Sequence, residues 1–144
     1  MVLNRDAIAA LVPQRGAMCL LEEVLAMDAA SITCRAVNHR EAAHPLRENG
    51  VLPAVCGVEY AAQAMAVHGA AMAGIGATAG VLAAVRDLVL GVERLDDVAD
   101  DLIVTARRLV GESQWLLYEF ELRAGARQLL SGRATVMLDG GSTR

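Results

Sequence analysis

The chain contains no lysine; all 13 of its basic side chains are arginine. Aromatic residues are nearly absent too, at 3%. With a net charge of −4, this excludes an ordinary nucleic-acid binder, which needs a basic surplus and stacking rings. Cysteine is limited to Cys19, Cys34 and Cys56. They are odd in number and widely spaced, with no Cys-x-x-Cys pair, so neither a disulfide framework nor a structural zinc site is implied. A reducing cytoplasm suits such a chain. The N-terminal stretch has Asp6 and Pro13 where a secretory signal needs an apolar run, so a cytoplasmic location is expected. Strongly apolar runs are missing as well. Ala54 to Val85 is rich in Ala and Gly but carries Glu59, Gln63 and His68, which fits a buried helix and not a membrane span. There is no His/Cys/carboxylate cluster at metal-ligand spacing, no serine nucleophile elbow and no phosphate loop.

What is present is a globular composition, 55% hydrophobic and 21% charged over 144 residues. That length suits one domain spanning 1–144, with 140–144 as a frayed tail. With so few rings, the core must be built from Ala, Val, Leu and Met.

Asn4 to Leu11 reads as a short helix capped by Asn4, with Ile8 and Leu11 on one face. Met18 to Met27 and Ser31 to Asn38 read as strands joined across Asp28-Ala29-Ala30. His39 to Val51 is polar and reads as a loop. Pro53 then opens a long helix to about Ala73, because proline lacks an N–H that the first turn would leave unpaired. Gly74 and Gly76 close it. Strands follow at Gly80 to Leu90 and Asp101 to Val110. In the next, Leu116, Tyr118, Phe120 and Leu122 alternate with Leu117, Glu119, Glu121 and Arg123. After a turn at Ala124-Gly125-Ala126, Leu130, Gly132, Ala134, Val136 and Leu138 share one face of the last strand. One long Ala-rich helix and a large antiparallel sheet make an α+β domain. A sheet that wraps a helix leaves little room for large side chains on it.

The segment from His44 to Ala64 is the most informative. It puts a histidine in a loop, Pro53 at a helix start and Glu59 nearly two turns in. Glu59 and Gln63 are four residues apart and share a helix face. Their neighbours there are small and apolar, including Val55, Cys56 and Ala62. Polar groups on an apolar stripe need partners, since burying them unpaired costs a few kcal/mol. Taken singly, each residue has a bland role: Glu59 pairing with an arginine, Gln63 tying a loop to the helix, His44 solvated. Their combination beside a proline-started helix favours a site.

These residues carry a resemblance. The pattern is similar to that of the β-hydroxyacyl-acyl-carrier-protein dehydratases, which have a histidine loop, a Pro-started helix, a glutamate six residues beyond that proline, and an Ala-Gln pair. Here Pro53 to Glu59 keeps the six-residue step and Ala62-Gln63 supplies the pair. Upstream, Pro13-Gln14-Arg15 and the run to Val24 resemble the family's Pro-His-Arg motif and the strand after it. The Leu-Pro-Ala-x-x-Gly-x-Glu-Tyr-x-Ala-Gln wording from Leu52 looks similar to the dehydratases of aryl-polyene pathways. Three departures stand out. His44 is followed by Pro-Leu, not Phe-Pro. One extra residue separates His44 from Pro53. Ala54 stands where a glycine is usual.

The resemblance implies a hotdog fold and dehydration of β-hydroxyacyl thioesters to trans-2-enoyl thioesters in fatty-acid or polyene-like synthesis. It implies His44 as base and Glu59 as acid. Substrate would lie against Pro53, Ala54, Val55, Cys56 and Gln63, with free N–H groups from Ala54 to Cys56 polarising the thioester. No metal or organic cofactor is implied. The carrier would be acyl carrier protein or coenzyme A, and Arg107, Arg108, Arg123, Arg127 and Arg133 are candidates for a docking patch. The site would span a homodimer or a heterodimer with a paralogue. His39 is the rival base, and His68 is expected to face away. The alternatives are a hotdog acyl thioesterase using Glu59 alone and a non-catalytic partner subunit of a heteromeric dehydratase.

Overall fold

The computed structural model describes residues 2–73, 80–112 and 114–138. A short helix α1 (Arg5–Ala9) comes first, and Asn4 caps it by accepting the Ala7 N–H at 2.9 Å. Strands β1 (Glu23–Met27) and β2 (Ser31–Ala36) form an antiparallel pair. Asp28 Oδ1 accepts the N–H groups of Ala30 and Ser31, which closes the turn between them. The long helix α2 (Gly57–Ala73) follows, then β3 (Gly80–Leu90), β4 (Leu102–Gly111), β5 (Trp115–Ala124) and β6 (Arg127–Leu138). All six strands join one antiparallel sheet in the order β1-β2-β4-β5-β6-β3.

Helix α2 packs across β2, β4 and β5. Its buried positions mix the small Gly57, Ala61 and Ala64 with the larger Tyr60, Met65, Val67 and His68. A Cβ placed on Gly57 would come within 2.5 Å of Leu130 Cδ2 and 3.1 Å of Leu122 Cδ2. The alanine content of α2 therefore reflects close approach of helix and sheet. The facing sheet positions are the alternating ones: Ile32 and Cys34, Val104 and Ala106, and the expected series Leu116, Tyr118, Phe120 and Leu122 are all buried. On β6, Leu130, Gly132 and Ala134 are buried and Val136 is partly so.

Several expected boundaries shift. The first strand begins at Glu23, not Met18, because residues Gly16–Met18 form a 3₁₀ turn and the Leu20 N–H is taken by the Gln63 side chain. The second ends at Ala36 because Asn38–Arg40 turn again. Pro53 caps α2 and is not its first helical residue, and the first turn, Ala54–Cys56, is 3₁₀. Gly74 and Gly76, the expected helix end, and the 140–144 tail lie outside the described residues.

Candidate active site

The start of α2 is fixed from two sides. The Ala54 N–H donates to Glu93 O at 3.0 Å, and Leu95 N–H donates to Leu52 O at 2.8 Å. Asp96 reinforces this, accepting the Leu52 N–H at 2.8 Å. The Arg94 guanidinium beside Asp96 holds its carboxyl well below the usual carboxylate range. The free amides expected at the helix start are therefore fewer. Ala54 donates to Glu93, and Cys56 donates to Pro53 O at 3.0 Å. The Val55 N–H is the one of the three without an acceptor among the described residues, and Val55 itself is exposed. Burial, with Glu48 and Glu59 nearby, pushes the Cys56 thiol up, which keeps it protonated and a poor nucleophile.

Glu59 sits in the first turn of α2 and is partly buried. Its Oε2 accepts two amide N–H groups, from Gln14 at 3.0 Å and from Gln63 at 3.2 Å. Oε1 has no hydrogen-bond partner among the described residues and is not sealed from solvent. Oε1 is therefore the carboxyl oxygen left open to a bound molecule. Gln63 is fully buried and does more than hold Glu59. Its Oε1 takes the Leu20 N–H at 2.8 Å and its Nε2 gives to Met18 O at 2.7 Å. The amide thus ties the segment before β1 to the helix.

His44 is not solvated; it is 5% exposed. The Leu46 N–H donates to its Nδ1 at 3.1 Å, so Nδ1 must be the acceptor nitrogen. The ring hydrogen is then on Nε2, which donates to the Tyr60 hydroxyl at 2.9 Å; Tyr60 donates onward to Asn38 Oδ1 at 2.7 Å. Burial, and next the Arg47 charge, lower the His44 pKa and keep the ring neutral. His44 and Glu59 share no hydrogen bond within the chain, but Tyr60, the residue after Glu59, holds His44.

The rival base is sealed inside the protein, with no exposed surface. His39 Nε2 lies 3.0 Å from both Val98 O and Asp100 O and donates to them, joining the 38–40 turn to the segment before β4. Burial lowers its pKa, and its Nδ1 is buried without a partner. His68 points to the sheet, with Nδ1 accepting from Tyr118 at 2.7 Å and Nε2 donating to Asp28 O at 2.8 Å.

Sequence reasoning assigned no role to Gln14, Asn38 or Tyr60. The available signals were modest: Gln14 lies inside the Pro13-Gln14-Arg15 run, and Tyr60 follows Glu59. Of the expected docking arginines, Arg107 pairs with Glu119, Arg123 lies 3.5 Å from Glu121, and Arg108 gives to the Tyr118 hydroxyl at 3.2 Å. Among the described residues no group of three or more His, Cys, Asp or Glu is placed to hold a metal ion. No described helix is long and apolar enough to cross a membrane.

An antiparallel sheet wrapped on one long helix is a hotdog fold, and here a carboxyl sits in that helix's first turn. The chain belongs to the ApeP-like family, the ApeP dehydratases, whose family model matches residues 6–140. Solved structures agree on the fold. The dehydratase heterocomplex ApeI:P from Xenorhabdus doucetiae is similar at a TM-score of 0.79 and 21% identity, over 91% of this chain and 90% of that one. Zebrafish thioesterase superfamily member 2 is similar at 0.65 and 15%, over 93% and 94%. A hypothetical thioesterase from Streptococcus pneumoniae, solved with coenzyme A, is similar at 0.62 and 11%, over 81% and 84%. No curated protein sequence matches significantly.

Proposed function

We propose that this dehydratase-family chain acts on β-hydroxyacyl thioesters. A base takes the α-proton, the bond from the β-carbon to its hydroxyl breaks, and an acid gives that oxygen a proton as it leaves as water. The product is the trans-2-enoyl thioester. The observation that carries the reading is the state of Glu59. Oε2 is held by two amides, while Oε1 is unpartnered beside the start of α2. In this proposal Oε1 delivers the proton to the leaving hydroxyl. The Val55 N–H stands ready for the thioester oxygen. Pro53, Ala54 and Cys56 shape the wall there, and Gln63 acts through Glu59.

His44 is proposed as the base, acting across a subunit interface on substrate held by a partner's glutamate. Exposed Leu88, Val89 and Leu90 on the β3 edge offer apolar surface for such pairing. Acyl carrier protein or coenzyme A would deliver the acyl group. Both His44 nitrogens are bonded within the chain, so one bond must open before the ring accepts a proton. That observation favours a second reading, a partner subunit in a heteromeric dehydratase, comparable to the ApeI:P heterocomplex.

Dehydration and the reverse hydration should be followed with the purified chain, alone and co-expressed with a paralogue. If the first reading holds, the chain alone forms alkene, and His44→Ala and Glu59→Gln each lose most of the rate. If the second holds, turnover needs the paralogue and survives His44→Ala in this chain. Release of free acid from a simple acyl thioester would instead mark a thioesterase.

A further inference from the structure

We propose that Gln14 is a positioning residue for Glu59, fixing which carboxyl oxygen faces the reacting centre. The inference rests on the reading of Glu59 as a proton-transfer group. Its structural part, the bond itself, can be tested without that reading.

Gln14 reaches Glu59 from a segment 45 residues away in sequence, with Nε2 3.0 Å from Oε2. Gln63 reaches the same oxygen from within α2. A single donor four residues on would leave the carboxyl free to pivot about one contact. A second donor from a different element fixes its plane, and Oε1 is left as the carboxyl oxygen open to a bound molecule.

The segment that carries Gln14 is itself held. Arg15 Nη1 donates to Val12 O at 2.9 Å and to the Pro13 and Gln14 carbonyls at 3.3 Å. Downstream, Gln63 pins Met18 O and Leu20 N–H. The amide orientation points the same way. Gln14 Oε1 is buried with no partner, which is costly for a carbonyl oxygen. Turning the amide over would pair that atom poorly, since it would then face another acceptor oxygen. A donor contact to a carboxyl is strong enough to hold the orientation that leaves Oε1 unmatched.

The test uses Gln14→Met, which keeps length and removes both donors, and Gln14→His, which restores an N–H. Turnover is read on the form of the protein that is active, alone or with its paralogue. We expect Gln14→Met to lower kcat about 10- to 100-fold with KM nearly unchanged. Gln14→His should recover most of the loss. The second readout needs no activity. In protein labelled with ¹³C-glutamate, the Glu59 carboxyl resonance is identified by its loss in Glu59→Gln. It should move in Gln14→Met, return toward its original position in Gln14→His, and stay put in the exposed control Gln128→Met. If Gln14→Met does not fold, Gln14→Asn, which withdraws the amide by one methylene, is judged by the same criteria. An unmoved resonance, or an unchanged kcat in an active preparation, overturns the proposal. If the unaltered protein forms no alkene in any pairing, the dehydratase reading falls, and the resonance still decides the role of Gln14.

Discussion

The Tyr60 hydroxyl stands between two buried groups, accepting from His44 Nε2 at 2.9 Å and donating to Asn38 Oδ1 at 2.7 Å. The direction of both bonds follows from one amide, the Leu46 N–H on Nδ1. Tyr60→Phe removes the hydroxyl and leaves a buried donor and a buried acceptor unmatched. We expect a loss of about 2 kcal/mol, read as a lower urea midpoint. Asn38→Ala removes part of the same chain, so the two losses should be less than additive in the double variant. Full additivity would mean that Tyr60 and Asn38 do not share the bond.

The three histidines should make stability depend on pH in one direction. Burial lowers the pKa of His39, His44 and His68 alike. The unfolded chain binds protons near pH 6.5 and the folded chain resists them. Stability is therefore full above about pH 7 and falls as pH drops through about 6.5. Each ring contributes up to about 1.4 kcal/mol per pH unit while it is charged only in the unfolded state, so the combined slope has an upper bound of about 4. Urea midpoints measured from about pH 8 to about pH 5 check this. A flat profile would show that the rings take up protons without unfolding.

Much of this was legible in the sequence where the signal was local. Pro53 marked the helix start, and the alternation from Leu116 to Leu122 gave both the strand and its buried face. What escaped was set by partners distant in the chain. The first strand starts late because Gln63, 43 residues on, captures the Leu20 N–H. The Ala54 amide looked free because nothing nearby accepts it, yet Glu93 does. His39 sits in a polar loop and is still buried, because the carbonyls of Val98 and Asp100 converge on its ring. Glu59 and Gln63 could be placed on one face by their spacing, whereas the bond from Gln14 had no such pattern to announce it.

Gln63 should prove structural first. Gln63→Leu leaves the buried Leu20 N–H without its acceptor and the partly buried Met18 carbonyl without its donor. A loss of about 2–4 kcal/mol is expected, near the upper end for a point variant. The local sign would be faster amide exchange at Leu20, measured by hydrogen exchange in urea below the unfolding transition. Protection at Leu20 equal to that of the unaltered chain would contradict the bond.

A second buried chain separates stability from the proposed chemistry. Arg108 gives to the Tyr118 hydroxyl at 3.2 Å, Tyr118 gives to His68 Nδ1 at 2.7 Å, and His68 Nε2 gives to Asp28 O at 2.8 Å. Tyr118→Phe breaks the first two links. It leaves Nδ1 of a buried ring without a donor, so the urea midpoint should fall by an amount similar to that of Tyr60→Phe, about 2 kcal/mol. The two variants should part on other readouts. His68 lies nine residues beyond Glu59, about 13 Å along the helix axis. Tyr118→Phe should therefore leave the Glu59 carboxyl resonance in place and turnover at its original value under conditions where the chain stays folded. Tyr60→Phe touches His44 directly and should change turnover if His44 takes the α-proton. Equal effects of both variants on the rate would mean that loss of stability, and not the site, governs what is measured.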